Sequence, residues 1–280
     1  MMLSFAKMHG LGNDFMVVDG ISQNIFFSEY QIRKLADRNK GVGFDQLLLI
    51  EAPPQPDVDF HYRIFNADGT EVEQCGNGAR CLAKFVKKMG LTWKHKFRVS
   101  TQKGIMSLQL MRNGLVSVDM GVPELEPQKI PLADNEEAIS YKIELTTQTV
   151  SFGSVSIGNP HCVINVNDLE SELSDDLVKN IGNEINQHQM FPNGVNVGFM
   201  NIVSESEVRL RVFERGAGET LACGTGACAS MVIGRLQNKL CQRAKVFLPG
   251  GHLHIDWAGK GQSLKMIGPA DFVYHGYLEI

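Results

Sequence analysis

Two cysteines of this 280-residue chain head the same short pattern, C-G-x-G-A: Cys75 in "EQCGNGARC" and Cys223 in "LACGTGACA". Helical periodicity follows each one at once, in "ARCLAKFVKKMG" and "ACASMVIGRLQN", so both sulfurs fall at helix N-termini. There the unpaired amides and the helix dipole favour negative charge, which predicts a thiol pKa pulled from about 8.5 toward neutrality. Glycines at 76, 78, 224 and 226 leave those amides open to a carboxylate or phosphate. Two such thiols suit one reaction in particular. Inverting a carbon centre needs a base on one face and an acid on the other, and mutual repulsion leaves one sulfur ionised and one protonated. The helix N-termini would hold the substrate carboxylate and stabilise charge developing beside it.

The pairing of the cysteines is part of a longer repeat. "RIFNADGTEVEQCGNGA" from Arg63 and "RVFERGAGETLACGTGA" from Arg211 agree without gaps at seven of seventeen positions, at a constant offset of 148. The matches are Arg63 with Arg211, Phe65 with Phe213, Glu71 with Glu219, Cys75 with Cys223, Gly76 with Gly224, Gly78 with Gly226, and Ala79 with Ala227. "GNDFMVV" from Gly12 faces "GNPHCVI" from Gly158 at an offset of 146, pairing Asn13 with Asn159; Gln46 and Asn196 lie 150 apart. Collinear matches of this kind predict two homologous halves about a pseudo-twofold axis.

Composition sets the frame. The chain is 43% hydrophobic and 21% charged, a globular balance, and its net charge of −4 carries no basic block. That argues against nucleic acid or an anionic membrane surface as partner. No apolar run approaches the ~20 residues of a membrane helix, and Lys7, His9 and Asn13 interrupt any leader-like N-terminus, so the expectation is a soluble cytoplasmic protein. Six cysteines without a leader do not predict a disulfide framework, and neither C-x-x-C nor H-x-x-x-H occurs, so no structural zinc is expected. Cys81, Cys162, Cys228 and Cys241 are read as buried and inert.

Alternating and β-branched runs such as "DQLLLIEA", "VDFHYRIFN", "EVRLRVFER" and "FVYHGYLEI" predict a dozen or more strands. Helices are predicted at about 28 to 39, behind the N-cap Ser28, and at about 76 to 89, 168 to 180 and 224 to 237. Strands joined by short turns with few helices indicate an α+β fold with largely antiparallel sheets. Residues 121 to 138, with three prolines and five acids, are the predicted linker. "GTGACA" fits a dinucleotide-binding pattern formally, but seven residues separate it from the preceding strand and no βαβ unit follows.

The residues alone leave three readings open: an epimerase using both thiols, a non-catalytic anion-binding module, and a thiol-disulfide redox protein. "GLGNDF", "NADGTEVEQCGNGARC", "GNPHCV", "PNGVNVGF" and "ERGAGETLACGTGAC", spread over nearly the whole chain, resemble the diaminopimelate epimerase family. Proline racemases, more distant relatives, share the paired cysteines and differ in the surrounding motifs. The resemblance implies a cofactor-independent epimerase interconverting LL- and meso-diaminopimelate, with Cys75 and Cys223 as the catalytic thiols and His161 and Glu214 as supporting catalytic groups. Backbone groups at Gly76, Asn77, Gly224 and Thr225 would hold the reacting carboxylate. Asn13, Gln46, Asn66, Asn159, Asn196, Glu214 and Arg215 would line the substrate pocket, Arg215 meeting the distal carboxylate by its fork geometry. The implied fold is two similar domains, 1–119 with 269–280 and 120–268, each a mostly antiparallel sheet wrapped around a central helix, with the active site in the cleft between them. A homodimer with Tyr274 at the contact, no metal, and lysine and peptidoglycan precursor synthesis as the context complete what it implies.

Overall fold

The computed structural model describes residues 2–73, 75–134, 136–169 and 172–279. The chain forms two compact units, Met1–Asp119 with Ile267–Ile280, and Met120–Met266. Among the described residues there are eighteen strands and four α-helices.

Unit one contains β1 (Met2–Gly10), β2 (Asn13–Asp19), α1 (Glu29–Ala36), β3 (Gln46–Glu51), β4 (Phe60–Asn66), β5 (Glu71–Val72), α2 (Gly76–Lys88), β6 (Lys96–Thr101), β7 (Gly104–Leu110) and β8 (Val116–Asp119). Unit two contains β9 (Tyr141–Glu144), β10 (Thr149–Ser156), β11 (Pro160–Asn165), α3 (Asp175–Asn186), β12 (Asn196–Ser204), β13 (Glu207–Glu214), β14 (Gly218–Glu219), α4 (Gly224–Leu236), β15 (Arg243–Leu248) and β16 (Gly251–Asp256). The boundary falls within β17 (Lys265–Gly268), and β18 (Asp271–Glu279) ends the chain. β18 pairs antiparallel with β1, from Met2 opposite Glu279 to Lys7 opposite Tyr274, so the two ends of the chain share one unit.

The two units repeat one topology. In unit one the strand order is β18-β1-β2-β3-β4-β6-β7-β8, with β2 parallel to β3, β4 parallel to β6, and the other pairs antiparallel. Unit two runs β9-β10-β11-β12-β13-β15-β16, and its parallel pairs are the counterparts β11 with β12 and β13 with β15. A helix lies between the strands of each parallel pair, as parallel crossovers require. The registers match too: Phe15 faces Gln46 where His161 faces Asn196, and Phe60 faces Val99 where Val208 faces Val246. The duplication read from the sequence is thus present at the level of single strand pairs.

Each sheet curls around a helix. α2 touches β1, β2, β3, β7 and β8, and α4 touches β10 to β13, β15 and β16. α2 is amphipathic, burying Ala79, Leu82, Ala83, Phe85 and Val86 while Lys84, Lys87 and Lys88 stay at least partly exposed, whereas α4 is apolar around most of its circumference, with Ala227, Ala229, Met231, Val232 and Ile233 buried. Such a helix is stable only when enclosed. α4 approaches β10 so closely that a Cβ at Gly153 would sit 2.4 Å from Ile233 Cγ2, which is why glycine stands there. The outer faces carry α1 and α3. α1 starts at a capping box in which Ser28 and Gln31 bond each other's backbone amides. It packs Ile32 and Leu35 on Met16, Leu47 and Leu49.

Three expectations are corrected. The third helix runs Asp175–Asn186, not 168 to 180: Val166–Asp168 is a short 3-10 turn, and the N-cap is Ser174, whose hydroxyl accepts from the Leu177 amide. Residues 170 and 171 lie outside the described residues. Nor is 121 to 138 a free linker, since Pro127, Ile130 and Leu132 are buried and the last two join the core of unit two with Phe152 and Phe191. Cys81, Cys162 and Cys228 are buried, but Cys241 is exposed, because it sits between α4 and β15 beside Glu205 rather than under the sheet.

Among the described residues no helix is long and apolar enough to cross a membrane.

Candidate active site

Each unit carries one sulfur at the start of its enclosed helix. Cys75 is the N-cap of α2, in extended conformation, and its Sγ accepts from the Gly78 amide at 3.4 Å. Its carbonyl accepts from the Tyr62 hydroxyl at 2.9 Å. Gly78 is required here, since a Cβ would sit 2.9 Å from that hydroxyl and 3.1 Å from Leu48 Cδ2. Cys223 is likewise the extended N-cap residue of α4, but without a side-chain cap hydrogen bond, and a Cβ on Gly226 would lie 3.3 Å from its sulfur. Gly76, Gly224 and Thr225 occupy the first helical positions, whose amides have no partner further back in the helix.

In unit one the structure brings together Asn13, Cys75 and Asn77: Asn13 Oδ1 lies 4.0 Å from Cys75 Sγ and accepts from Asn77 Nδ2 at 3.2 Å. Asn13 is held from behind by Asp45, which accepts from its Nδ2 at 3.0 Å. Asp45 and Asp14 share the guanidinium of Arg38 at 2.7 and 2.8 Å. Gln46 opens β3 opposite Asn66, and Gln46 Nε2 donates to Asn66 Oδ1 at 3.0 Å.

In unit two Cys223 Sγ lies 3.2 Å from Glu214 Oε2 and 3.6 Å from Thr225 Oγ1. Thr220 donates to the other carboxylate oxygen of Glu214 at 2.5 Å. Asn196 Oδ1 accepts from the Arg215 amide at 3.0 Å while its Nδ2 donates to the Pro160 carbonyl at 3.1 Å. His161, fully buried, shares a 3.1 Å hydrogen bond between Nε2 and Asn159 Oδ1. An amide oxygen only accepts, so the ring proton sits on Nε2 and Nδ1 is left as an unpaired acceptor. Burial, together with the Arg215 charge, pushes the His161 pKa down to about 3, so the ring is neutral. Arg215 extends over Asn193, whose carbonyl accepts from Nη1 at 2.9 Å, leaving further donors of its fork for a ligand.

The electrostatics depart from the simple helix argument at Cys223. Burial raises its pKa well above the ordinary thiol value, and the Glu214 carboxylate raises it further, against the weaker pull of Thr225 and the Gly226 amide. The thiol is the resting form there. In unit one the position matching Glu214 in the repeat is Asn66, so the duplicated device carries a carboxylate in one half only.

Sequence reasoning missed Tyr62, Thr220 and Asp45, which act through other residues and have no motif of their own. Tyr274 stands on β18 with its ring centroid 6.1 Å from that of Phe5.

The architecture recurs in solved structures. A hydroxyproline epimerase from Agrobacterium vitis, with bound trans-4-hydroxy-L-proline, superposes with a TM-score of 0.71 at 14% identity, covering 99% of this chain and 92% of that one. A PhzF-family phenazine biosynthesis protein from Bacillus anthracis gives 0.67 at 16%, over 100% of both chains. Methylitaconate-delta-isomerase gives 0.68 at 11%, over 99% and 95%. These likenesses show a shared fold. The sequence pattern described as diaminopimelate epimerase matches residues 5–126 and 153–273 and so takes in both sulfurs and both halves of the repeat. The chain therefore belongs to the diaminopimelate epimerase family.

Proposed function

We propose that this chain is a cofactor-independent epimerase that interconverts LL- and meso-diaminopimelate by proton transfer at the α-carbon. Cys75 and Cys223 serve as base and acid on opposite faces of that carbon and exchange roles with direction. The observation that carries the reading is the duplicated device itself: a sulfur at an extended N-cap, a glycine two residues into the helix that touches it, and open amides for the carboxylate whose α-proton is removed. Glu214, at 3.2 Å, favours the thiol form of Cys223 at rest and orients its proton, so that Cys75 starts as the base. Neutral His161 and Asn159 supply a second, uncharged polar edge.

Diaminopimelate is favoured over a monocarboxylic amino acid because of Arg215. Its backbone is fixed by Asn196 and its first donor by Asn193, which aims the rest of a bidentate fork at a second carboxylate. Leaving such groups unpaired discriminates by ~10⁴ or more. Lysine biosynthesis and peptidoglycan precursor supply, in the cytoplasm, follow as the setting. We further propose a homodimer that uses β18, where Val273, Tyr274 and Tyr277 are exposed.

Purified protein given LL-diaminopimelate, L-proline or L-lysine, with chiral separation of the products, tests the reading. Formation of meso-diaminopimelate with little change in the other two supports it; proline racemisation without diaminopimelate turnover contradicts it.

A further inference from the structure

Three of the seven positions that agree between the halves are not part of C-G-x-G-A: Arg63, Phe65 and Glu71 in one half, Arg211, Phe213 and Glu219 in the other. The structure gives them one arrangement. Arg63 Nε and Nη2 bond the two Glu71 oxygens at 2.9 and 2.8 Å, and Arg211 Nε and Nη2 bond those of Glu219 at 2.6 and 2.7 Å. In both, the acid faces the phenylalanine in register. In unit one the Arg63 guanidinium also lies 4.9 Å from the centre of the Phe65 ring.

We propose that these two ion pairs are clasps that position the reactive sulfurs; Arg63, Glu71, Arg211 and Glu219 are positioning residues for the epimerase reaction, and the inference rests on that reading. β5 and β14 are strands of two residues each, too short for ladder bonds alone to fix them. Each leads to its cysteine after four residues, from Glu71 to Cys75 and from Glu219 to Cys223. Each also closes a hairpin whose turn starts at a residue of the site, Asn66 or Glu214. The bidentate fork fixes orientation as well as distance, so it locks the hairpin against the long strand and with it the approach to the helix N-cap. In unit two the hairpin carries Glu214 itself, 3.2 Å from Cys223 Sγ. The two pairs are alike although the turns between them, "NADGT" and "ERGAG", have diverged. Arg211 Nη2 also bonds Asp175 Oδ1 at 2.8 Å, which ties β13 to the start of α3, a contact that Glu219→Gln leaves in place.

The test uses Glu71→Gln and Glu219→Gln in the full chain, with the reversed pair Arg63→Glu/Glu71→Arg as rescue. Expected are a fall in kcat of about tenfold or more, little change in KM, an unchanged melting temperature, and partial recovery in the reversed pair. Iodoacetamide labelling read by peptide mass spectrometry should change at Cys75 in E71Q and at Cys223 in E219Q, each leaving the other thiol as in the parent. Parent-like kcat and labelling in both variants would overturn the proposal, as would losses that merely follow a lowered melting temperature. If the parent does not turn over diaminopimelate, the function falls, and selective labelling alone then judges the clasps.

Discussion

The Cys223 sulfur lies 3.2 Å from a Glu214 carboxylate oxygen whose partner oxygen is held by Thr220. The repeat places Asn66 at the matching position of unit one, so the two halves share geometry and differ in charge. The carboxylate disfavours the thiolate, adding to burial. Glu214→Gln should therefore shift alkylation of Cys223 to lower pH, measured by labelling across a pH series. An unchanged profile would show that burial alone sets the thiol.

Removing either sulfur should be about equally damaging. Cys75→Ser and Cys223→Ser should each lower kcat by roughly 10²–10⁴-fold, the usual worth of a positioned acid or base, with folding unchanged by circular dichroism. Near-parent activity in either variant would refute the two-thiol assignment.

Gly226 and Gly78 make a steric prediction. A Cβ at 226 would lie 3.0 Å from Val212 Cγ2 and 3.3 Å from Cys223 Sγ, and one at 78 would press on Tyr62. Gly226→Ala and Gly78→Ala should each cost on the order of 1–3 kcal/mol of stability, and activity should fall further than stability explains. Urea unfolding beside steady-state kinetics separates the two.

His161 links stability to acid. Its folded pKa of about 3 lies below the unfolded value of 6.5, so between those pH values the unfolded chain binds the extra proton. Stability is then complete above pH about 6.5 and declines as pH falls, by up to about 1.4 kcal/mol per unit from this residue. His161→Gln should flatten that slope, measured by urea unfolding between pH 7 and 5.

The starts of α2 and α4 were legible because a cysteine cap, glycines and an apolar period coincide at Cys75 and Cys223. The third helix was misplaced because Asp168 and Glu172 imitate an acidic first turn, whereas the effective cap is Ser174 with Asp175 and Asp176 behind it. Prolines at 123, 127 and 131 suggested a linker, but Ile130 and Leu132 bury apolar surface that the local pattern does not advertise. The repeat pairs Asn13 with Asn159 and Gln46 with Asn196, while their place in a substrate pocket is what the family resemblance implies. The Tyr62 bond to Cys75 and the raised Cys223 thiol were not legible, because both depend on strands that meet only after folding.

The most direct test of the central claim is exchange of the α-proton in deuterium oxide, followed by mass spectrometry on LL-diaminopimelate incubated with reduced protein. Incorporation of one deuterium per epimerisation, lost in both Cys75→Ser and Cys223→Ser, is the predicted result. No incorporation by the reduced parent would contradict proton transfer at that carbon.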